Sequence, residues 1–314
     1  MVKYFAILDE RKSWLGDALA TAQRRGYATR QIQSGHAMPR SHDEISLDGL
    51  GFIRPHAHPE ILKRNQAKDD LQMRMQFPQM VQDRAQVEVY ENKSEQFKRW
   101  GALMPPTWRF VTYEDAMDFV IQDAPYPLVS KADVGASSYN VRILQNKDEA
   151  VGHVITAFGS GIPVKHCAGG TGVGDVRSMQ KGYVLFQEFI PHTVTWRVNR
   201  VGRALAAFMR YNYPNKPVAQ TGNVQPVMAM DDRVGSLFHY ARGLLDQVLD
   251  SRWIALDILW DDTRKRWFFL ESSLAWPWSA GALSDTPFFG SKRKWGEMWD
   301  LMFDEYEAGV FNAC

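Results

Sequence analysis

Cysteine is nearly absent. Cys167 and Cys314 are the two in 314 residues, too few and too far apart for a disulfide framework or a cysteine-based zinc site, so a reducing, cytoplasmic setting is expected. Long apolar runs are missing too: uncharged stretches such as Ala204–Met209 are short, whereas a membrane span needs about 20 apolar residues. The start, Met1-Val-Lys-Tyr-Phe-Ala-Ile-Leu8, meets Asp9 before a signal-peptide core develops, so neither membrane insertion nor export is expected. No charge dominates, since 37 Lys plus Arg stand against 36 Asp plus Glu, and the charge balance does not indicate a nucleic-acid partner. Several motifs are lacking as well. There is no P-loop, no G-x-G-x-x-G, no G-x-S-x-G elbow and no H-E-x-x-H, which removes the common nucleotide-loop, dinucleotide and hydrolase signatures. His56-Ala-His58 could offer two imidazoles from one extended face, but no acid ligand lies nearby and a polar loop is the default reading.

What is present is globular: 45% hydrophobic residues with 11 Trp, 17 Phe and 11 Tyr, on a length that suggests two or three lobes. Residues 2–8 read as a buried strand, Leu15 to Ala22 as a helix and Tyr27 to Gln33 as a strand, a β-α-β opening. Gly51–Ile53 reads as a strand, Glu60–Gln76 as a helix and Val87–Tyr90 as a strand that closes the first lobe. Asn92 and Thr112 are placed to cap helices. Strands at Pro127–Lys131 and Tyr139–Leu144 and a helix over Lys147–Phe158 follow. The Gly-rich stretch Gly159–Gly182 is too long for a plain connection and reads as a mobile cover. Strands are expected at Tyr183–Ile190, Val194–Val201, Ala204–Tyr211, Trp253–Trp260 and Arg266–Ser273, with helices around Val234–Val248 and Lys294–Glu307.

The last two strands carry the most chemistry. In a hairpin centred near Arg264, alternation sets Asp257 directly opposite Glu271, with Ser273 on the same face. Opposed like charges lie about 5 Å apart and repel; a divalent cation, Mg²⁺ by its preference for hard oxygen ligands, would remove the penalty. The alternative is two separately solvated acids. With Gly202-Arg203 as the turn of the preceding hairpin, Thr195 lies across from Arg210 and Arg197 from Phe208, so both arginines project from one face. Paired guanidiniums await a phosphate or carboxylate, unless they are merely surface arginines. Lys131 ends a short apolar strand beside Gly135-Ala-Ser137-Ser138 and can bring charge and backbone N–H groups to phosphate oxygens. Glu188 shares a face with Val184, Phe186 and Ile190, and a buried acid there wants a donor such as an adenine amino group or a ribose hydroxyl.

In this order the residues resemble the ATP-grasp superfamily, particularly its carboxylate–amine ligases of the ribosomal-protein glutamate ligase and D-alanine ligase type. The matching segments are Glu91-Asn-Lys93 with Met104-Pro-Pro-Thr107, Pro127-Leu-Val-Ser-Lys131 with Gly135-Ala-Ser-Ser138, Phe186-Gln-Glu-Phe-Ile190, Arg197, Arg210, Ala255-Leu-Asp257 and Phe269-Leu-Glu-Ser-Ser273. The resemblance implies a mixed α/β (α+β) ATP-grasp fold. Residues 1–90 would form an α/β pre-ATP-grasp domain, 91–185 a central lobe and 186–314 a C-terminal lobe, with the nucleotide between two antiparallel-sheet lobes.

It further implies that Lys93, Lys131, Gly135, Ser137 and Ser138 contact the phosphates of ATP, that Gln187, Glu188, Phe189 and Ile190 form the hinge against the nucleoside, and that Asp257, Glu271 and Ser273 hold Mg²⁺. Arg197 and Arg210 would act in catalysis. The chain departs from the family pattern at Ser273, where asparagine is usual, and at Thr195, where an acid is common; a Ser hydroxyl can still ligate Mg²⁺ directly or through water. The implied reaction is ATP-dependent amide or peptide bond formation through an acyl phosphate, between a small-molecule or peptide carboxylate and an amine, in an enzyme that a homodimer would also accommodate. A nucleotide-binding regulatory or scaffold protein without turnover, and an ATP-grasp phosphotransferase, stay open as alternatives.

Overall fold

A parallel sheet opens the chain. In the computed structural model, which describes residues 3–9, 15–32, 49–54, 70–71, 73–77, 79–133, 140–167, 174–213, 216–247, 249, 251–274 and 283–311, strand β1 (Tyr4–Asp9) runs into helix α1 (Leu15–Arg24) and back to β2 (Ala28–Ile32). Strand β3 (Gly49–Arg54) and the two-residue β4 (Gln79–Met80) complete the order β2-β1-β3-β4, all parallel. Phe5, Ile7, Leu50 and Phe52 are fully buried, as expected where a parallel sheet is covered on both faces. Of the expected helix at Glu60–Gln76, residues 60–69 and 72 lie outside the described set.

Residues Val87–Tyr90 are not a strand. Val87–Val89 belong to α2 (Arg84–Val89) and Tyr90 is its C-cap; this short helix has different apolar neighbours on its two sides: Val87 joins Tyr90 and Leu274, while Val89 joins Trp100 and Met104. Burial on both sides gives i, i+2 apolar spacing, which imitates a strand. Helix α3 (Lys93–Trp100) starts as its cap residue foretells, with the Asn92 side chain accepting the Glu95 N–H.

The middle sheet has the order β5-β10-β6-β7, from β5 (Thr107–Phe110), β6 (Leu128–Lys131), β7 (Val141–Leu144) and β10 (Val184–Glu188). Its pairings are antiparallel. Helix α4 (Tyr113–Asp118), capped by Thr112 and continued as a π-turn at Phe119–Asp123, and α5 (Lys147–Phe158), capped by Asn146, cover one face. Val154, Ala157, Leu128 and Phe186 share that core. The stretch expected as an irregular cover contains two paired strands, β8 (Ile162–Cys167) and β9 (Gly174–Gln180). Gly161 and Gly182, both at positive φ, flank this hairpin rather than marking a long loop; residues 168–173 are outside the described set.

The third sheet, β13-β12-β11-β14-β15, is antiparallel. It comprises β11 (Val194–Val201), β12 (Ala204–Tyr213), β13 (Lys216–Pro226), β14 (Trp253–Asp261) and β15 (Arg266–Ser273). Strand β13 has no counterpart in the sequence reading: Pro217, Gly222 and Pro226 interrupt its pattern, and such residues sit on sheet edges, where β13 lies. One face packs on α6 (Asp232–Gln247) through Val198, Leu256, Leu237 and Leu245. The other meets the first lobe and α7 (Met298–Glu307), where Phe52, Trp253 and Trp299 pack ring against ring. Arg24, the last residue of α1, and Arg25 just after it form ion pairs with Asp300, Asp304 and Glu307 of α7. Glu305 of α7 accepts from the Arg203 backbone and guanidinium, holding the Gly202-Arg203 turn so closely that any Cβ at Gly202 would collide with its carboxylate. The far end of that hairpin carries the functional residues. Among the described residues no helix is long and apolar enough to cross a membrane.

Candidate active site

The register places the charged residues. Across the third sheet Thr195 faces Arg210, Arg197 faces Phe208 on one side and Asp257 on the other, and Asp257 faces Glu271. The expected juxtaposition of Asp257 with Glu271 is therefore observed, and a bulge next to it produces it: Ile258 pairs with Phe269, the ladder skips Leu270, and Asp257 meets Glu271.

The two arginines do not stand open on the surface. Arg197 Nε and Nη2 donate to Asp257 Oδ1 and Oδ2 at 2.7 and 2.8 Å, and Arg210 Nη1 donates to Oδ2 at 2.8 Å. Asp257 is buried; burial alone would raise its pKa, but Arg197 and then Arg210 reverse this and hold the carboxyl well below the usual range. The anion expected for the guanidiniums is in the first instance the chain's own Asp257.

Lys93, the first residue of α3, approaches from the side. Its Nζ lies 3.5 Å from Glu271 Oε2, and although burial opposes its charge, Glu271, Glu91 and Asp133 raise the ammonium above its ordinary pKa. Lys131, at the end of β6, is pulled down to about 8 by burial, with Glu271 opposing and the neighbouring Lys93 assisting. Lys93, Lys131, Arg197, Arg210, Asp257 and Glu271 thus form one contiguous charged cluster, drawn from α3, β6, β11, β12, β14 and β15.

The hinge segment is already hydrogen-bonded. The Gln187 amide donates to Thr107 Oγ1 at 2.9 Å, the Glu188 N–H donates to the Pro106 carbonyl, and Ile190 packs with Leu259 and Phe268. Glu188 is half-buried, and both of its oxygens accept from Arg264 Nη2 at 2.7 and 2.9 Å. The donor that an acid at this place needs is an arginine from the β14–β15 turn. The Phe189 ring lies tilted against His192, ring centroids 6.2 Å apart and planes at 42°. His192, which the sequence reading passed over, has Nδ1 2.6 Å from the Ile190 carbonyl. Only an N–H can bond there, so Nδ1 carries the proton; burial, together with nearby Lys131, lowers the ring's pKa. Its signal in sequence was its place two residues after the hinge.

Gly135, Ser137 and Ser138 lie outside the described residues. Ser273 pairs with Ala255, one row along from Glu271. Among the described residues no group of three or more His, Cys, Asp or Glu gathers as a metal cluster. Asp257 and Glu271 nevertheless fit a hard divalent cation as two of its ligands. A carboxylate has about four lone-pair sites; the Arg197 and Arg210 bonds occupy three on Asp257, and the Glu271 carboxyl lies within hydrogen-bonding reach of the same group, so a cation held between the two acids would take the place of that contact. Glu271 remains partly exposed beside it.

No protein-family model and no curated protein matches the chain. Solved structures do. The D-alanine–D-alanine ligase of Bacillus anthracis complexed with ATP superposes with a TM-score of 0.61 at 12% identity, over 100% of this chain and 99% of that one. A RimK domain ATP-grasp protein of Sphaerobacter thermophilus gives 0.56 at 15% identity over 96% and 98%. A Chryseobacterium gregarium RiPP-associated ATP-grasp ligase, in complex with ADP and a leader and core peptide, gives 0.52 at 14% over 99% and 95%. With full-length superposition on these structures, and a central sheet and C-terminal sheet that flank the charged cluster, the chain has the ATP-grasp fold.

Proposed function

We propose that the chain is an ATP-dependent carboxylate–amine ligase that forms an amide or peptide bond through an acyl phosphate. The observation that carries this reading is the gathering of two lysines and two arginines around the paired carboxylates Asp257 and Glu271, in a fold whose similar structures hold ATP or ADP. Residues 1–90, 91–185 and 186–314 would be the pre-ATP-grasp, central and C-terminal units.

In this reading Lys93 and Lys131 meet the phosphates, and the Gln187–Ile190 segment lies against the adenine. Asp257 and Glu271, with Ser273 beside them, would hold Mg²⁺, which when bound neutralises phosphate charge and orients the γ-phosphoryl group. Arg210 and Arg197 turn from Asp257 toward the acceptor's carboxylate and the transferring oxygens, where a planar fork matches the developing charge. The substrate carboxylate attacks the γ-phosphorus and ADP leaves. An amine then attacks the acyl carbon, phosphate departs, and the amine gives up a proton. Enclosure of the site by the lobes keeps water from the acyl phosphate.

The acceptor is read as a small-molecule or peptide carboxylate, because a neighbour of the same fold is held with a leader and core peptide and another is a D-alanine–D-alanine ligase. The test is acid-dependent ADP release across amino acids and short peptides, with hydroxylamine present. An ATP-dependent hydroxamate supports the ligase. ADP release with phosphate left stably on a hydroxyl identifies a kinase, and nucleotide binding without turnover on any acid identifies a binding protein; either result overturns the reading.

A further inference from the structure

Asp133 leaves β6 two residues after Lys131 and is 7% exposed, yet none of the roles above uses it. Every polar group it has in view is engaged. Its carbonyl accepts the Lys93 N–H at 3.2 Å. Its Oδ1 accepts the Ser94 N–H at 2.9 Å and the Ser94 hydroxyl, its Oδ2 accepts the Tyr183 hydroxyl, and its own N–H donates to Gln180 Oε1 at 2.9 Å.

Two of these bonds go to the first N–H groups of α3, which no helical carbonyl can satisfy. Asn92 takes the third, from Glu95. The start of α3 is thus capped partly by its own cap residue and partly by a carboxylate some forty positions later in the chain, a negative group at the positive end of a helix. Around it, Ser94 Oγ also accepts from Arg109 Nε at 3.1 Å, and the Arg109 guanidinium lies over the Tyr183 ring, 5.0 Å from its centroid.

The arrangement joins two bodies. Helix α3 is fastened to the C-terminal sheet by Gln96, which bonds both the N–H and the carbonyl of Ser272, and by Trp100 edge-on to Phe269. Asp133, Gln180, Tyr183 and Arg109 belong to the middle sheet and its hairpin. Lys93 is the first residue of α3 and Lys131 the last of β6, and Asp133, two residues past Lys131, bonds the backbone of Lys93 and Ser94, so it ties the helix start that carries one lysine to the strand end that carries the other.

We propose that Asp133 is a positioning residue that fixes the start of α3, and with it the Lys93 ammonium, against the Lys131 end of β6, so that both lysines meet the same nucleotide phosphates. The inference rests on the nucleotide reading above. It assigns no contact between Asp133 and the nucleotide, and places its effect on binding through Lys93.

A double-mutant cycle on the full chain, read by calorimetric titration with a non-hydrolysable ATP analogue and Mg²⁺, tests it. Asp133→Ala should weaken binding by about tenfold in the wild-type background and by less than about twofold in Lys93→Met, because residues acting as one unit are not additive. Asp133→Asn, which keeps an acceptor for Ser94, should recover most of the affinity. An equal loss in both backgrounds would mean that Asp133 acts independently of Lys93 and overturns the proposal. If Asp133→Ala does not fold, the same cycle with Ser94→Ala and Lys93→Met decides on the same criterion. A wild-type chain that binds no analogue overturns the nucleotide reading itself, a failure distinct from additivity in the cycle.

Discussion

Arg197 and Arg210 converge on one carboxylate oxygen: Asp257 Oδ2 accepts from Arg197 Nη2 and from Arg210 Nη1, each at 2.8 Å. Each arginine comes from a different strand, and the acid between them is buried. Asp257→Asn should therefore leave two guanidiniums near each other without their counter-charge, at a cost of about 3–5 kcal/mol, the range for breaking a buried pair. The folded-state pKa of Asp257 lies below its unfolded value, so its stabilisation is present above the unfolded value of about 3.9 and is lost as pH falls toward the folded one. Urea unfolding should show the wild type losing its advantage over Asp257→Asn as pH drops below about 4. A difference that stays constant down to pH 2 would contradict the ion-pair account.

Lys131 predicts a pH dependence at the other end of the scale. Its ammonium titrates near 8 because it is buried and close to Lys93. Phosphate favours the charged form, so ATP-analogue affinity should fall as pH rises through about 8, and binding should take up protons above that pH. Lys131→Arg stays charged and should show a flat profile there; Lys131→Met should bind more weakly at every pH while remaining folded. A wild-type affinity that is constant from pH 7 to 9.5 rules the phosphate role out. In stability the sign is opposite: the unfolded chain binds more protons between about 8 and the ordinary lysine value, so this group's contribution rises with pH over that window.

Glu188 and Arg264 predict a coupling. The pair links the end of β10 to the β14–β15 turn at 2.7 and 2.9 Å, and Arg264 also holds Asp261. It is partly exposed, so Glu188→Gln and Arg264→Ala should each destabilise by no more than about 1 kcal/mol. The double variant should match the worse single one. If Glu188→Gln instead lowers ATP-analogue affinity tenfold while Arg264→Ala leaves it unchanged, Glu188 serves the nucleoside and not the arginine.

What could be read from the sequence was what short-range rules control. Gly202-Arg203 sets the β11–β12 register that puts Thr195 against Arg210, and Asn92 and Thr112 mark helix starts because their side chains take an orphan N–H. The bulge at Leu270 was not legible: a hairpin centred on Arg264 gives the Asp257 to Glu271 pairing but misplaces the turn-proximal half by one residue, where Asp261 pairs with Arg266. Nor were the side-chain partners. Alternation puts Arg197, Arg210 and Asp257 on one face, but only the twisted sheet shows that the arginines clamp the acid. Asp133, Gln96 and Tyr183 act across more than 35 positions of chain, and no local pattern records such a contact.

Gln96 gives the last prediction. Strand β15 is an edge of its sheet and carries Glu271, and an edge strand leaves backbone groups unpaired. Gln96 fills that gap: its Oε1 accepts the Ser272 N–H at 2.9 Å, and its Nε2 donates to the Ser272 and Val89 carbonyls, both at 3.1 Å. The side chain is 1% exposed, so water cannot replace it. Gln96→Leu keeps the volume and orphans three backbone groups, and at about 1–3 kcal/mol for a buried group left unpaired the variant should lose about 3 kcal/mol or more. Gln96→Glu keeps the acceptor for Ser272 but loses both donations and sets a carboxylate against two carbonyls, so it should be no better. Because Ser272 lies next to Glu271, the loss should also reach function: under conditions where Gln96→Leu is still folded, ATP-analogue affinity should drop with it, and the Lys93 to Glu271 pair should no longer couple in a double-mutant cycle. A Gln96→Leu protein as stable as wild type, with its Lys93 to Glu271 coupling intact, would show that the edge of β15 is held by other contacts.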